Sequence, residues 1–188
     1  MKPTIVALTG LSGVGKSTLL VAVVARMRLQ HLQASTLIKK GRETVLGQAV
    51  EQDQLRYSDL DENQRLLVRG LEASLNPASK LVVLDSHTVI ERESDYFLVD
   101  PGVFAAVRIA AMIFLRDEPQ EIEKRRANDQ SRVRPRRDAA DLAKVQAAAV
   151  RQAELICRRV GKPLYVETPS NVDCVVELFR RLQAIDGG

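Results

Sequence analysis

The chain has 188 residues, is 45% hydrophobic and 4% aromatic with no Trp, and carries a formal net charge of +4. That length suits one domain with a core of Leu, Val, Ile and Ala. The small positive excess is compatible with a polyanionic ligand but is otherwise ordinary surface charge. Two cysteines, Cys157 and Cys174, lack C-x-x-C spacing and are read as reduced thiols, not as a metal site. The amino-terminal residues do not follow a signal-peptide pattern, since one Lys leads into a short apolar stretch and then glycines. The apolar run Leu19–Ala25 is far shorter than the ~20 residues that a membrane-spanning helix needs. A cytoplasmic protein with no membrane partner is expected.

The elements follow in chain order. Thr4–Thr9 is a β-branched run that predicts a strand, and a Gly-rich loop comes next. Lys16 to about Leu29 contains neither Gly nor Pro and predicts a helix, and Ser35–Ile38 predicts a second strand. Helical patterns run from about Arg42 to Gln54 and from about Asp61, a candidate N-cap, to Leu75. Asn76-Pro77 ends that stretch. Lys80–Asp85 and Arg108–Arg116 are buried-strand patterns, separated by an irregular Ser86–Gly102 segment. Helices are predicted over Pro119–Arg132 and Ala139–Val160, then a strand at "PLYVE" and a closing helix over Val172–Ala184. Apolar strands without strict alternation, alternating with helices, predict an α/β fold with a parallel sheet covered on both faces.

The stretch "GLSGVGKST", Gly10 to Thr18, matches the phosphate-binding pattern of Gly, four residues, then Gly-Lys-Ser, with a strand before it and a helix after it. Its candidate nucleotide-binding residues are Gly10, Leu11, Ser12, Gly13, Val14, Gly15, Lys16, Ser17 and Thr18. Gly-rich backbone can turn several N–H groups inward, and the helix N-terminus adds positive potential for phosphate oxygens. Lys16 reaches the outer phosphates, the Ser17 hydroxyl is a candidate Mg²⁺ ligand, and Thr18 can add a hydroxyl. ATP and Mg²⁺ are the expected cofactors.

Downstream residues limit what the loop is for. A GTP-reading N-K-x-D is absent, and "LDSHT" places Thr88 where a GTPase would need Gly. Asp85 ends a predicted central strand, where it can hold Mg²⁺ through water. His87 stands two residues on, as a substrate contact or a hydrogen-bonded loop residue. Lys124–Arg137, "KRRANDQSRVRPRR", then brings seven cations against one acid, Asp129. Pro135 disfavours helix at Arg134. Arginines of this kind neutralise charge in a phosphoryl-transfer transition state, and a mobile segment can exclude water. Aromatics do not interleave with these cations, which argues against a base-stacking nucleic-acid partner. Arg125, Arg132 and Arg134 join Lys16 and Asp85 as candidate catalytic residues.

Taken in order, these motifs resemble the P-loop nucleoside-monophosphate kinases, and most of all the archaeal-type adenylate kinases, over nearly the whole chain. The similar stretches are "GLSGVGKST", "DQLRYSDLDENQR" (Asp53–Arg65), Asp85-Ser86-His87, "DYFLVDPGVF" (Asp95–Phe104), and Arg125, Arg126, Asp129, Arg132 and Arg134. The resemblance implies a P-loop NTP hydrolase fold with a five-stranded parallel sheet, as a single domain over 1–188. It also implies an acceptor-binding helical insert at about 39–75 and a short Arg-rich lid at about 125–138. Arg56 would grip the acceptor phosphate, with His87 beside it. The implied partners are ATP and a nucleoside monophosphate, and family members can be trimeric. The chain departs from the family after Asp85, where the next Arg is Arg92 and Gln is absent until Gln120, and in the additional Pro135–Arg137.

The expected reaction is ATP plus AMP giving two ADP. Two other readings remain open from the residues. One is a small-molecule or nucleoside kinase with a hydroxyl acceptor, for which Asp85 could act as base. The other is an ATP-binding regulatory protein that meets nucleic acid through its basic segment.

Overall fold

The computed structural model describes residues 2–46, 60–93, 95–129 and 134–185. Thr4–Gly10 forms β1, buried at every position. Gly15, at φ 110°, turns the chain into α1, Lys16–Val24. Next come β2, Gln30–Gln33, and α2, Ala34–Leu46. After α3, Leu60–Glu72, the chain forms β3, Leu81–Asp85. A small hairpin, β4 (Val89–Glu91) and β5 (Tyr96–Leu98), precedes α4, Pro101–Val107. Then follow β6 (Ala111–Leu115), α5 (Pro119–Asn128), α6 (Ala139–Val160), β7 (Leu164–Glu167) and α7 (Val172–Ile185).

Five strands make one parallel sheet in the order β2-β3-β1-β6-β7. The middle strands are buried residue after residue, which requires cover on both faces. α1 packs with α7, and α6 packs with α4 and α5. The side chain of Asp138 caps α6 at the Asp141 N–H, and Gly161 ends it at φ 66°. The order reverses around β1. That leaves a crevice at the carboxyl ends of β1 and β3, the usual ligand position in such sheets. Cys157 and Cys174 are free thiols, and burial raises the Cys157 pKa to about 11. Among the described residues, none of the helices is long and apolar enough to cross a membrane.

The α/β class and the five parallel strands agree with the sequence reading, but three local expectations do not. Ser35–Ile38 is the first part of α2, not a strand: its buried positions Leu37 and Gly41 recur at helical spacing. The second strand lies just before it, where "QHLQ" forms a half-exposed sheet edge without an apolar run to reveal it. Asp61 falls inside α3, one residue past its start, instead of capping it. The Ser86–Gly102 segment contains the β4–β5 hairpin, and the helix that follows is capped by Asp100 with Pro101 at its first turn. Of the helical pattern predicted to Gln54, the part after Leu46 lies outside the described residues.

α2 and α3 cross at unusually close range. A Cβ built on Gly41 would lie 2.0 Å from the Leu66 carbonyl oxygen, and one on Gly70 would lie 1.9 Å from that of Leu37. Each glycine lets the other helix's backbone into the space that a side chain would occupy.

Candidate active site

The chain leaves β1 through a loop built on three positive-φ glycines. Gly10, Gly13 and Gly15 have φ values of 141°, 82° and 110°, a region that side chains rarely enter. Space is as tight as conformation: a Cβ on Gly10 would sit 2.7 Å from the Leu115 carbonyl oxygen. Leu11 and Val14 anchor the loop in the core, and the Val14 N–H donates to the Leu11 carbonyl at 3.1 Å. Ser12 is half-buried, while Ser17 and Thr18 are exposed in the first turn of α1. Leu11–Gly15 form the turn between Gly10, the end of β1, and Lys16–Thr18, the start of α1.

Lys16 folds back over this loop. Its Nζ donates to the Gly10 carbonyl at 3.0 Å, lies 3.2 Å from His87 Nε2, and is 3.7 Å from Asp85 Oδ1. Parallel pairing of Leu8 with Asp85 carries the carboxylate to the level of the loop. On its far side, His31 Nε2 from β2 lies 3.8 Å from Asp85 Oδ2. The chain has only two histidines, and both face this carboxylate. The sequence brings out His87, but His31 sits in a polar edge strand and carries no motif.

Burial pushes the Asp85 pKa upward. The His31 side chain and the charges of Lys16 and His87 outweigh it and hold the pKa below the ordinary 3.8. A lowered pKa contributes stability that is complete above the unfolded value and is lost as pH falls through the folded one. Wild-type and Asp85→Asn melts are therefore to be compared for their Tm difference from about pH 5 downward. Below pH 3.8 the difference shifts against wild type. A flat difference down to pH 2 would show that Asp85 is not held ionised.

Asp85 Oδ1 is buried and lacks a hydrogen-bond partner among the described residues. Among the described residues, clusters of three or more His, Cys, Asp or Glu side chains able to hold a metal are not found. One carboxylate, the Ser17 hydroxyl and a phosphate cradle nonetheless fit Mg²⁺, which keeps waters and takes substrate phosphate oxygens. They do not fit a metal held by protein alone.

The arginine segment meets the loop from the other side. Arg134 Nε donates to Ser12 Oγ at 2.9 Å, and its Nη2 pairs with Asp129. Arg125 pairs with Asp117, and its Nη1 lies 3.6 Å from where a Gly15 Cβ would stand. Asp117 is itself held by the buried Gln146, whose amide donates to the Asp117 carbonyl at 2.8 Å and accepts from its N–H at 3.2 Å. Lys16, Asp85, His87, Arg125 and Arg134 are thus gathered around one loop. Arg56 and Arg132 lie outside the described residues. Sequence reasoning missed His31, Gln146 and Glu91, a β4 residue whose carboxylate takes a bidentate pair from Arg126.

Comparison with known proteins agrees with this architecture. Residues 9–143 match the family described as the AAA domain. Over 140 residues, 70% of this chain and 69% of the relative, the sequence is 29% identical to an adenylate kinase of Thermococcus sibiricus. The fold is similar to that of shikimate kinase from Bacteroides thetaiotaomicron, at 17% identity and a TM-score of 0.54, over 98% of this chain and 99% of that one. It is also similar to a sugar kinase from a Janibacter species, at 18% identity and a TM-score of 0.54, over 98% and 95% of the two chains. The fold is that of the P-loop kinases.

Proposed function

The chain belongs to the AAA domain family, and on that premise we propose that it transfers the γ-phosphate of Mg²⁺-bound ATP to a nucleoside monophosphate, with AMP as acceptor. The observation that carries this reading is the convergence on one phosphate loop of Lys16, Asp85 and Arg134, at 3.0 Å from Gly10 O, 3.7 Å from Lys16 Nζ and 2.9 Å from Ser12 Oγ respectively. The archaeal relative named adenylate kinase supports AMP as the acceptor. The cytoplasm is the expected setting.

An acceptor phosphate oxygen is already ionised, so the transfer needs no strong base. It attacks the γ-phosphorus, the bond to the bridging oxygen of ADP breaks, and charge spreads over the three equatorial oxygens. Loop N–H groups and Lys16 meet that charge from the donor side, and Arg125, Arg132 and Arg134 from the other. Ser17 and Asp85 would hold Mg²⁺, which would supply further charge neutralisation. Arg56 grips the acceptor phosphate, and His87 is the other acceptor-binding candidate. The 39–75 helices form the acceptor insert, and the 125–138 segment closes as a lid that excludes water.

A hydroxyl acceptor is the second reading. It is favoured by Asp85, a strand-end carboxylate whose buried Oδ1 has no hydrogen-bond partner among the described residues and is open to a hydroxyl proton. A panel of AMP, CMP, UMP, GMP, deoxynucleotides and nucleosides with Mg-ATP separates the two. AMP is expected to accelerate ADP formation saturably. If only hydroxyl compounds do so, the second reading replaces the first. If no acceptor does and RNA or DNA binds with steep salt dependence, the protein is not a monophosphate kinase.

A further inference from the structure

Three charged side chains beside the phosphate loop are almost wholly shielded from solvent. Glu91, Arg126 and Arg137 are each 8% exposed. Arg126, in the last turn of α5, forks onto Glu91, with Nη1 donating to Oε2 at 3.0 Å and Nη2 to Oε1 at 2.6 Å. Arg137 Nε lies 3.4 Å from Glu91 Oε2. Its Nη2 donates to the Arg92 and Asp95 carbonyls of the hairpin at 2.9 and 2.8 Å. Arg126 has one further bond, Nε to the Ser12 carbonyl at 2.9 Å. Its stem also lies under the loop, where a Gly13 Cβ would come within 2.9 Å of Arg126 Cγ.

A buried carboxylate with two guanidiniums is rarely the most stabilising filling for such a space, because desolvation offsets the attraction. What it supplies is a fixed position. A lone Arg126 would have a long, rotamer-rich side chain and a strong pull toward any phosphate in the cradle. With its outer nitrogens locked on Glu91, it has only Nε left for the loop and cannot swing into the site. We propose that Glu91 is a positioning residue of the nucleotide site. It acts through Arg126 to hold the Ser12–Gly13 backbone in its cradle geometry, while Arg137 ties the same carboxylate to the β4–β5 hairpin. The assignment concerns the loop itself and rests on the reading above only in taking the loop to bind nucleotide.

The test compares Glu91→Gln, Arg126→Met, the double variant and Arg137→Met. Hydrogen–deuterium exchange is read in the ligand-free protein over residues 8–18, where the Val14 N–H is bonded to Leu11. Glu91→Gln and Arg126→Met are expected to speed exchange there by about tenfold or more, with the double variant no faster than Arg126→Met alone. Arg137→Met is expected to lower Tm and leave this segment within twofold of wild type. For Mg-ATP, KM is expected to rise in the first three variants. Unchanged loop exchange in folded Glu91→Gln overturns the proposal, as does additivity in the double variant. If Glu91→Gln does not fold, Arg126→Met decides by the same reading. The exchange result stands whatever acceptor panel the enzyme answers to, so failure of the kinase reading shows separately.

Discussion

Lys16→Ala is expected to reduce ADP formation from ATP and the acceptor by about 10³-fold or more, with circular dichroism and melting close to wild type. The size follows from what one cation does in a water-poor phosphoryl-transfer site. Lys16 is 7% exposed, so its charge acts at low screening. The fold should survive because the bonds from Lys16 Nζ to the Gly10 and Leu11 carbonyls are not the main source of the loop's shape. Its form comes from the Gly10, Gly13 and Gly15 backbone and the buried Leu11 and Val14. Removing Lys16 also takes away one of the charges that hold Asp85 ionised, so the Asp85 carboxyl should titrate at higher pH in the variant. Lys16→Arg keeps the charge but exchanges a compact ammonium for a planar fork, and should also be strongly impaired. Activity within tenfold of wild type in Lys16→Ala would remove the loop from the chemistry.

Gly70→Ala is the substitution with the largest expected effect on stability. On an exposed helix this change would stabilise by about 1 kcal/mol through helix propensity. Here the added methyl would stand 1.9 Å from the Leu37 carbonyl oxygen, and that atom is backbone, so it cannot rotate away. Either the two helices separate or the carbonyl tilts off its own hydrogen bond. Overpacking of that kind costs about 3 kcal/mol, leaving a net loss of about 2 kcal/mol after the propensity gain. For a chain of this size that is a Tm drop of roughly 4–8 °C, read by thermal melting. Gly41→Ala meets the Leu66 carbonyl oxygen at 2.0 Å and should behave alike. An unchanged or higher Tm in either variant would show that α2 and α3 do not cross this closely.

The features legible in the sequence are those whose cause is local. The Gly-Lys-Ser loop carries its conformation in its own glycines and its chemistry in the next two residues, so spacing alone identifies it. The full span of α6, Ala139–Val160, was readable because one helix face repeats apolar residues between an Asp cap and a terminal Gly. Buried β1, β3 and β6 were readable because a strand covered on both sides must be apolar throughout. Edge strand β2 was not, because half-exposed "QHLQ" has no need of apolar residues.

The arginine cluster marks the boundary between the two kinds of information. By itself the sequence determined that a phosphate loop is followed by a strand-end Asp and then by a dense group of cations. Only the tertiary structure decided how those cations divide. Arg134 reaches the Ser12 hydroxyl and Arg125 pairs with Asp117, while Arg126 and Arg137 are buried against Glu91, Arg126 keeping one bond to the Ser12 carbonyl. It also brought His31 to Asp85 and set Gly41 and Gly70 against facing carbonyls. The reason is physical: a charge's role depends on which opposite charge it is buried with, and the packing of distant strands and helices chooses that partner.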